Sequence, residues 1–403
     1  MSYYQNRGGY RPRGRGGYRG RGQWRGNWRG GHGPRGPMGA PRPPMPQQFV
    51  PHVPFDFVIC EKSFPRIRPD LDEDDIFKAL EERDYMIRPD ENDYLALKEL
   101  HDKIVAGIAA VQQTNAPSDF MTGDMDQPEN FQILEFHTIG SYTRNCLLKN
   151  NKRVDLAMII STLPTHETIG QVSRKVMNKM KETDPSCSEY LLNSTDYGFD
   201  ITKKETTTVA VWLTIPFERL PELCPGTHIS PEFCQLAQRA IKHTQWYSST
   251  IQVVPPNESQ APLLTRIFRD LRQRFPGFSS LNVWVADLLV AHCIMNNPKQ
   301  EETGRLSPQK VMRRLLQLLA SGIFLPHSVG LTDPTEAGYR VHQDWSPNDM
   351  DMVCTTAQTL LRVWCNGGHR AVLGLENTSN LDSQISIWND IVVTPSECVL
   401  KQE

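Results

Sequence analysis

Paired cysteines are missing from this 403-residue sequence: its nine cysteines are scattered, and no two stand in a C-x-x-C arrangement. That spacing argues against a disulfide framework and favours reduced, buried thiols. Long apolar runs are missing too, since the longest, LNVWVADLLVAHCIM, is interrupted by Asn282, Asp287 and His292 and is too short to cross a bilayer. The Arg-Gly-rich start lacks the apolar core of a signal peptide. We therefore expect a soluble protein of the cytosol or nucleus.

Acidic residues are missing from the first 48 positions, which contain ten arginines and so carry a charge of +10. The remaining residues include 34 basic and 46 acidic side chains, which leaves them with a charge of −12. A basic segment on an acidic body is typical of an arm that reaches for nucleic acid or for an acidic partner.

Aliphatic residues are scarce in residues 1–48, and thirteen of the 48 are glycine, so this segment is predicted to be a disordered tail. Its arginines alternate with aromatic residues, which suits pairing with phosphates and stacking on bases. The plain alternative is a flexible, solubilising extension, but the composition favours contact with RNA, or with DNA. The candidate contact residues are Arg11, Arg13, Arg15, Tyr18, Arg19, Arg21, Trp24, Arg25, Trp28 and Arg29.

From residue 49 the pattern becomes that of a folded protein with two halves. Residues 49–225 contain two helical segments, DLDEDDIFKALEERD and ENDYLALKELHDKIVAGIAAVQQ, and later a helix at 167–181. The strands predicted in this half are FQILEFHTI, RVDLAMIIST and TTTVAVWLTIP. Residues 226–403 contain only helices, at about 231–248, 262–275, 281–296, 308–321 and 348–366. The sequence therefore predicts an α+β protein, a mixed-sheet half followed by an α-helical half.

A second carboxylate is missing from the one motif that suggests chemistry. Gly140 and Ser141 follow the first predicted strand, and a turn of small residues suits the binding of a triphosphate by backbone N–H groups and a hydroxyl. Asp155 lies on the next strand, where a carboxylate could hold Mg²⁺. Nucleotide transfer uses a paired acid two residues further on, on the same face of the strand, but that position is Ala157.

The third predicted strand carries no acid, and Asp200 and Glu205 only precede it. Three interpretations stay open: a silent nucleotidyltransferase fold, an active enzyme with a carboxylate supplied by Asp200, and a fold that holds a nucleotide without turnover. By itself the motif also fits an ordinary turn glycine beside a solvated strand aspartate.

The order of these motifs resembles that of template-free nucleotidyltransferases such as oligoadenylate synthetase and poly(A) polymerase. The segment LLTRIFRDLRQRFPGFSSLNVWVADLLVAHCI is similar to part of their helical half. The resemblance implies that Arg269 approaches the triphosphate and that Trp284 lies near the nucleotide. The bland interpretation is a helix-surface arginine and a core tryptophan.

More specifically, residues from 49 onward resemble the DZF-domain family. The motifs that carry this resemblance are FVPHVPFDFVICEKSFPRIRP, LRQRFPGFSSL, IMNNP, SGIFLPHSVGLTDPTE, DMVCTTAQTLLRVW and VVTPSE. The resemblance implies a catalytically silent nucleotidyltransferase fold that requires no cofactor and is able to hold ATP with Mg²⁺ at a vestigial site. It also implies nuclear RNA processing and transcription control, with a DZF partner that carries double-stranded-RNA-binding domains, of the interleukin enhancer-binding factor 3 type.

The resemblance places the partner surface in the helical half, where apolar residues are abundant. The candidate residues of this dimer face are Leu315, Leu319, Ile323, Phe324, Val353, Leu360 and Val363. For any single one of them, ordinary core packing is the simpler interpretation.

One further cluster invites a zinc interpretation, because Cys224, His228, Cys234 and His243 follow one another closely. Their spacings do not match a compact Cys/His site, and the segment continues into a predicted helix. We therefore predict no metal site.

Overall fold

The computed structural model describes residues 72–114, 131–203, 207–251, 260–295, 306–376, 386–388 and 391–393. All of them belong to one compact unit, Phe49–Glu403. The predicted tail at residues 1–48 lies outside the described residues, as does the loop predicted at 115–130.

The first half is built on a five-stranded mixed sheet. Its elements are α1 (Glu73–Ile87), α2 (Glu91–Thr114), β1 (Ile133–Ile139), α3 (Gly140–Thr143), β2 (Arg153–Ile160), α4 (His166–Thr183), β3 (Leu191–Thr195), β4 (Gly198–Lys203) and β5 (Thr207–Thr214). The strand order is β1-β2-β5-β4-β3, in which β2 and β5 pair in parallel and the other neighbours are antiparallel. Two of these strands, β3 and β4, were not predicted from the sequence.

The second half is mainly helical, as predicted. It contains α5 (Pro231–Thr250), α6 (Ala261–Arg274), α7 (Val283–Met295), α8 (Pro308–Ala320), α9 (Pro347–Cys365), α10 (His369–Val372) and a short hairpin of β6 (Ser386–Trp388) and β7 (Ile391–Val393). Proline occupies the first turn of α5, α6, α8 and α9, where its missing N–H leaves no helical bond unmade. The prediction of helices alone in residues 226–403 was therefore wrong at this hairpin.

Side-chain caps explain where several helices begin. The carboxylate of Asp72 accepts from the N–H groups of Asp74 and Asp75 at the start of α1. Ser346 and Asp349 form a reciprocal capping box at the start of α9.

Two large apolar cores support the two halves. Helices α2 and α4 cover one face of the sheet, where Leu100, Ile108 and Val176 join the buried strand residues. The helical half has its own core, and it includes Ile76 and Leu80 of α1. The first helix, which sequence reasoning put in the sheet half, therefore packs with the helices instead. Among the described residues, no helix is long and apolar enough to cross a membrane.

Candidate functional site

The Gly-Ser turn lies directly beside the aspartate on the next strand. Gly140 begins α3 with a φ of +77°, in the left-handed region that favours glycine. The antiparallel register pairs Ile139 with Asp155, and a Cβ atom added to Gly140 would lie 3.6 Å from Oδ2 of Asp155. The fold thus brings together Gly140, Ser141 and Asp155, and their use in nucleotide binding stays a prediction.

The carboxylate of Asp155 is held by two protein donors. Nε of Arg153 donates to its Oδ1 at 2.9 Å, and Nε1 of Trp212 donates to the same oxygen at 3.1 Å. Arg153 and Asp155 are two residues apart on β2, so they share one face of the sheet. The position that would bind a cation therefore already has a guanidinium group beside it.

The face around Asp155 contains small and aromatic residues where further acids would be needed. In the β2–β5 register, Asp155 pairs with Ala210, and Ala157 pairs with Trp212. Because directly paired residues lie on the same face, all four are oriented alike. The donor set on β2 and β5 is thus one carboxylate, which does not fit the paired metals of nucleotide transfer.

Asp200 lies on the same face but two strands away. It pairs with Ala210 in the β4–β5 register, so Ala210 separates it from Asp155. Two strand spacings put the Cα atoms of the two aspartates roughly 10 Å apart. Arg153 lies between them, with Nη1 3.9 Å from Oδ2 of Asp200, and the hydroxyl of Tyr197 donates to Oδ1 of Asp200 at 2.7 Å. The two carboxylates are therefore linked through a guanidinium group.

Helix α5 covers the position of the absent second acid. Ala157 is fully buried and packs in a small apolar cluster with Ile139, Ala237 and Ile241. A carboxylate at position 157 would have to enter this cluster.

Ser141 contacts a buried ion network between the two halves. Nη1 of Arg269 donates to Oγ of Ser141 at 2.5 Å, while Nε and Nη2 of Arg269 donate to Asp287 at 2.5–2.9 Å. Nη1 of Arg144 donates to Oδ2 of Asp287, the oxygen that also accepts from Nη2 of Arg269. Asp287 is fully buried, and both arginines are about 95% buried. Burial is the largest single influence on the pKa of Arg269 and lowers it, but the surrounding groups, chiefly the Asp287 carboxylate, together raise that pKa.

Cys146 adjoins the same network without being a nucleophile. Its backbone carbonyl accepts from Arg269 at 3.2 Å, and its side chain is fully buried. Burial raises the pKa of the Cys146 thiol to about 11, so the thiolate is scarce at neutral pH.

Trp284 joins the network from the first turn of α7. The guanidinium carbon of Arg144 lies 5.4 Å from the centre of the Trp284 ring. The other contacts of the ring are a parallel stack on His243 at 3.8 Å and a 2.8 Å hydrogen bond from Nε1 to Asp333. Contacts therefore run from Ser141 through Arg269, Asp287 and Arg144 to Trp284.

Several residues that connect the predicted site residues through hydrogen bonds were not predicted from the sequence. Arg153 carried a weak signal, because it stands two positions before Asp155 on a predicted strand. Arg144 stands only three residues after Ser141, but nothing in the sequence indicates its pairing with Asp287, 143 positions further on, and Asp333 carried no signal.

The alternative zinc residues are engaged elsewhere. His228 accepts from the backbone N–H of Cys224 at 2.9 Å, Cys234 is buried under the sheet, and His243 pairs with Asp333. Within the described ranges, no group of three or more His, Cys, Asp or Glu side chains could hold a metal ion.

The residues predicted for a dimer face are part of the chain's own core. Leu315, Leu319, Ile323, Phe324, Val353, Leu360 and Val363 are each at most 2% exposed. They pack against one another and against α1, α6 and α7. A partner could not contact these side chains in this arrangement, so this set is corrected to interior residues. The use of the helical half for pairing stays a prediction.

The mixed sheet with its Gly-Ser turn beside an aspartate, and the helical half that follows, define an α+β protein. Residues 38–252 match the DZF N-terminal domain, and residues 260–394 match the DZF C-terminal domain. The chain therefore belongs to the DZF family.

Solved structures similar to this chain include nucleotide-bound proteins. One is E. coli MS115-1 CdnC with ATP, at 11% identity and a TM-score of 0.47, covering 76% of this chain and 94% of that chain. Another is the Cid1 poly(U) polymerase with Mg and 3′-dATP, at 10% identity and a TM-score of 0.46, covering 71% and 93% of the two chains.

Proposed function

We propose that this chain is a catalytically silent, nucleotidyltransferase-like DZF subunit. The observation that carries the proposal is the pairing of the Asp155 carboxylate with Arg153 and Trp212, on a face where Ala157 and Ala210 replace further acids. Two catalytic metal ions about 3.5–4 Å apart need several carboxylate oxygens directed to one point. One carboxylate that is already paired with a guanidinium group does not supply them.

The competing candidate is an active enzyme that recruits Asp200. The shared face of Asp155 and Asp200 favours it, since both point to the same side of the sheet. Two features favour silence instead: the separation of two strands, and the guanidinium group of Arg153 between the carboxylates.

The Gly140–Ser141 turn is the part of the site best suited to hold a nucleotide without turnover. Gly140 permits a tight turn, and Ser141 supplies a hydroxyl next to it. A phosphate that recruited Arg269 would compete with Asp287 for the same guanidinium group. We therefore propose that a nucleotide at this turn is a ligand and is not consumed.

The first test is nucleotide incorporation by the full chain. With labelled ATP, a single-stranded RNA primer and Mg²⁺ or Mn²⁺, we expect no extension above the background without protein. We expect Asp155→Asn to give the same background, because the wild-type carboxylate does not assemble a metal pair. Retention of labelled ATP is measured in parallel, and it should be lost in Ser141→Tyr, whose ring fills the turn.

Two results would separate the candidates. Primer extension that depends on metal and disappears in Asp155→Asn would refute silence and favour the enzyme. Extension that survives in Asp155→Asn would point to a contaminating polymerase and would leave the proposal standing.

We further propose that the chain acts in the nucleus, paired with a second DZF chain that carries double-stranded-RNA-binding domains. Membership of the DZF family supports this proposal, as does the basic, aromatic composition of residues 1–48, which suits contact with RNA. In this arrangement the chain supplies an interaction scaffold, and the partner supplies recognition of double-stranded RNA.

Pairing is tested by co-expression of the full chain with a DZF partner of the interleukin enhancer-binding factor 3 type. We expect the two to elute together in size-exclusion chromatography at a mass of one copy each, measured by light scattering. Recovery of this chain only as a monomer would contradict the pairing but would not affect the proposal of silence.

A further inference from the structure

A cleft in the described residues lies where the end of α1, the start of α2, Tyr142 of α3 and the loop after α3 meet. Its volume is about 770 Å³, within the usual range of small-ligand sites. Neither Ser141 nor Asp155 lines it. We call it the tyrosine cleft, after Tyr85, Tyr94 and Tyr142, which line it.

The aromatic walls of the tyrosine cleft are open to a ligand. Tyr85 is 70% exposed, and Tyr94 is 36% exposed. Tyr94 and Tyr142 are stacked, with ring centroids 5.7 Å apart and an interplanar angle of 22°. Burial and the neighbouring Tyr94 raise the pKa of Tyr142 to about 12, so its hydroxyl keeps its proton at neutral pH. Stacked, exposed tyrosines form a platform on which a further flat ring can stack.

Cationic and amide groups surround these rings. The guanidinium carbon of Arg88 lies 4.8 Å from the centre of the Tyr85 ring, and Lys149 is exposed on the opposite loop. The amide residue Asn145, in the left-handed region at φ +54°, also lines the cleft. With Arg266 in its floor, the cleft has three cations.

Two acids of the lining oppose this positive charge in part. Asp90 is 3.3 Å from Nζ of Lys149, and Glu91 begins α2. Arg266 is itself paired with Asp84, so Arg88 and Lys149 are the lining cations placed to meet a phosphate. Two such cations suit one phosphate beside one base better than a long row of phosphates.

The walls of the cleft are fixed by the backbone. The N–H of Lys149 donates to the carbonyl of Ile87 at 2.7 Å, which joins the loop after α3 to the end of α1. Nη1 of Arg266 donates to the carbonyl of Asn145 at 2.6 Å, while Nε and Nη2 bind Asp84. The cleft is therefore preformed, which lowers the entropy cost of binding.

We propose that the tyrosine cleft binds one nucleotide of a single-stranded RNA, with the base against Tyr85 and Tyr94 and the phosphate beside Arg88 or Lys149. The volume of the cleft is that of a small-ligand site, which favours a nucleotide as its occupant. Tyr142 directly follows Ser141, but neither Ser141 nor Asp155 lines the cleft, so the proposal does not depend on the chain being silent.

The test is photocrosslinking of the full chain to a short oligouridylate that contains 4-thiouridine, with mass spectrometry of the linked peptides. We expect a link to the peptide that contains Tyr85 or to the one that contains Lys149. In fluorescence-anisotropy titrations with the same RNA, Tyr85→Ala should weaken binding about five- to tenfold, in the range for loss of one base stack. Because Tyr85 is largely exposed, this substitution leaves the core intact.

Phe217→Ala is the matched control. Phe217 is 56% exposed, and Nζ of Lys242 lies 4.2 Å from its ring centre, so it is also an exposed aromatic–cation pair, but outside the cleft. We expect Phe217→Ala to bind the RNA as the wild type does. Equal losses in both variants would contradict a specific site.

Competition with free UMP tests whether the cleft binds a free mononucleotide or only a nucleotide within an RNA strand. If UMP abolishes the crosslink to the cleft, the site takes a mononucleotide as well as RNA. If UMP has no effect, the neighbouring nucleotides of the strand contribute to binding. Crosslinks confined to residues 1–48, or a Tyr85→Ala variant that loses a DZF partner and not RNA, would overturn the proposal.

Discussion

Replacement of Asp287 by alanine is expected to lower the free energy of unfolding by about 3–5 kcal/mol, the usual cost of leaving a buried charge without its partner. Asp287 is fully buried and accepts from both Arg144 and Arg269. After its removal Arg269 would keep the Ser141 hydroxyl and a backbone carbonyl. Arg144 would keep mainly the faces of Tyr247 and Trp284. The measurement is urea unfolding followed by circular dichroism, with thermal melting as a second readout.

Two variants test the physical reason for this loss. Glu222→Ala removes an acid from the exposed pair with Arg219, and solvent screening should make its effect small. Arg144→Met in the Asp287→Ala background should recover part of the stability, because an apolar side chain of similar length replaces a stranded charge. If Asp287→Ala lowers the free energy of unfolding no more than Glu222→Ala does, the network of Arg144, Asp287 and Arg269 does not stabilise the contact between the two halves.

Elements with a clear period could be predicted from the sequence. Leu97, Leu100, Ile104 and Ile108 recur at helical spacing, and the structure buries all of them in α2. One of the missed strands, β3, lacks such a period: it has only partly buried and exposed residues, because it lies at the edge of the sheet. An edge strand contacts the core too little to need an apolar pattern. The other, β4, does alternate, with Phe199 and Ile201 buried, but over only 6 residues.

The Gly-Ser turn was predictable because its residues are close in sequence. Ser141 and Asp155 lie on neighbouring elements, and a single antiparallel register brings them together. The network around them was not predictable from periodicity or spacing, because Arg269 lies 128 positions after Ser141 and Asp287 lies 143 positions after Arg144. Sequence periodicity also says which residues are apolar but not what covers them, which is why core residues such as Leu360 were predicted to face a partner.

Position 157 tests whether one substitution could reverse the proposed catalytic silence. The missing acid of the Asp-x-Asp pattern is Ala157, which α5 buries completely against Ala237 and Ile241. We expect Ala157→Asp to destabilise the fold by at least about 3 kcal/mol, because it places a carboxylate in an apolar cluster without a partner. We expect no metal-dependent nucleotide incorporation, since Arg153 still neutralises Asp155.

The loss of stability in Ala157→Asp should depend on pH in a defined direction. Burial raises the pKa of an introduced carboxylate above its unfolded value of about 4, so the charge penalty is complete above the folded pKa. It disappears as the pH falls below the unfolded value, where both states are protonated. The difference in melting temperature from the wild type should therefore shrink as the pH is lowered from 8 toward 4.

Ala337→Asp is the matched control, because Ala337 is exposed on a loop, and it should show neither the loss of stability nor the pH dependence. A stable Ala157→Asp protein that extends an RNA primer with Mg²⁺ would mean that one carboxylate was all the site lacked. A destabilised, inactive Ala157→Asp protein would mean that the packing of α5 requires a small apolar side chain at position 157. Catalysis could then return only with a change in the packing of α5 as well.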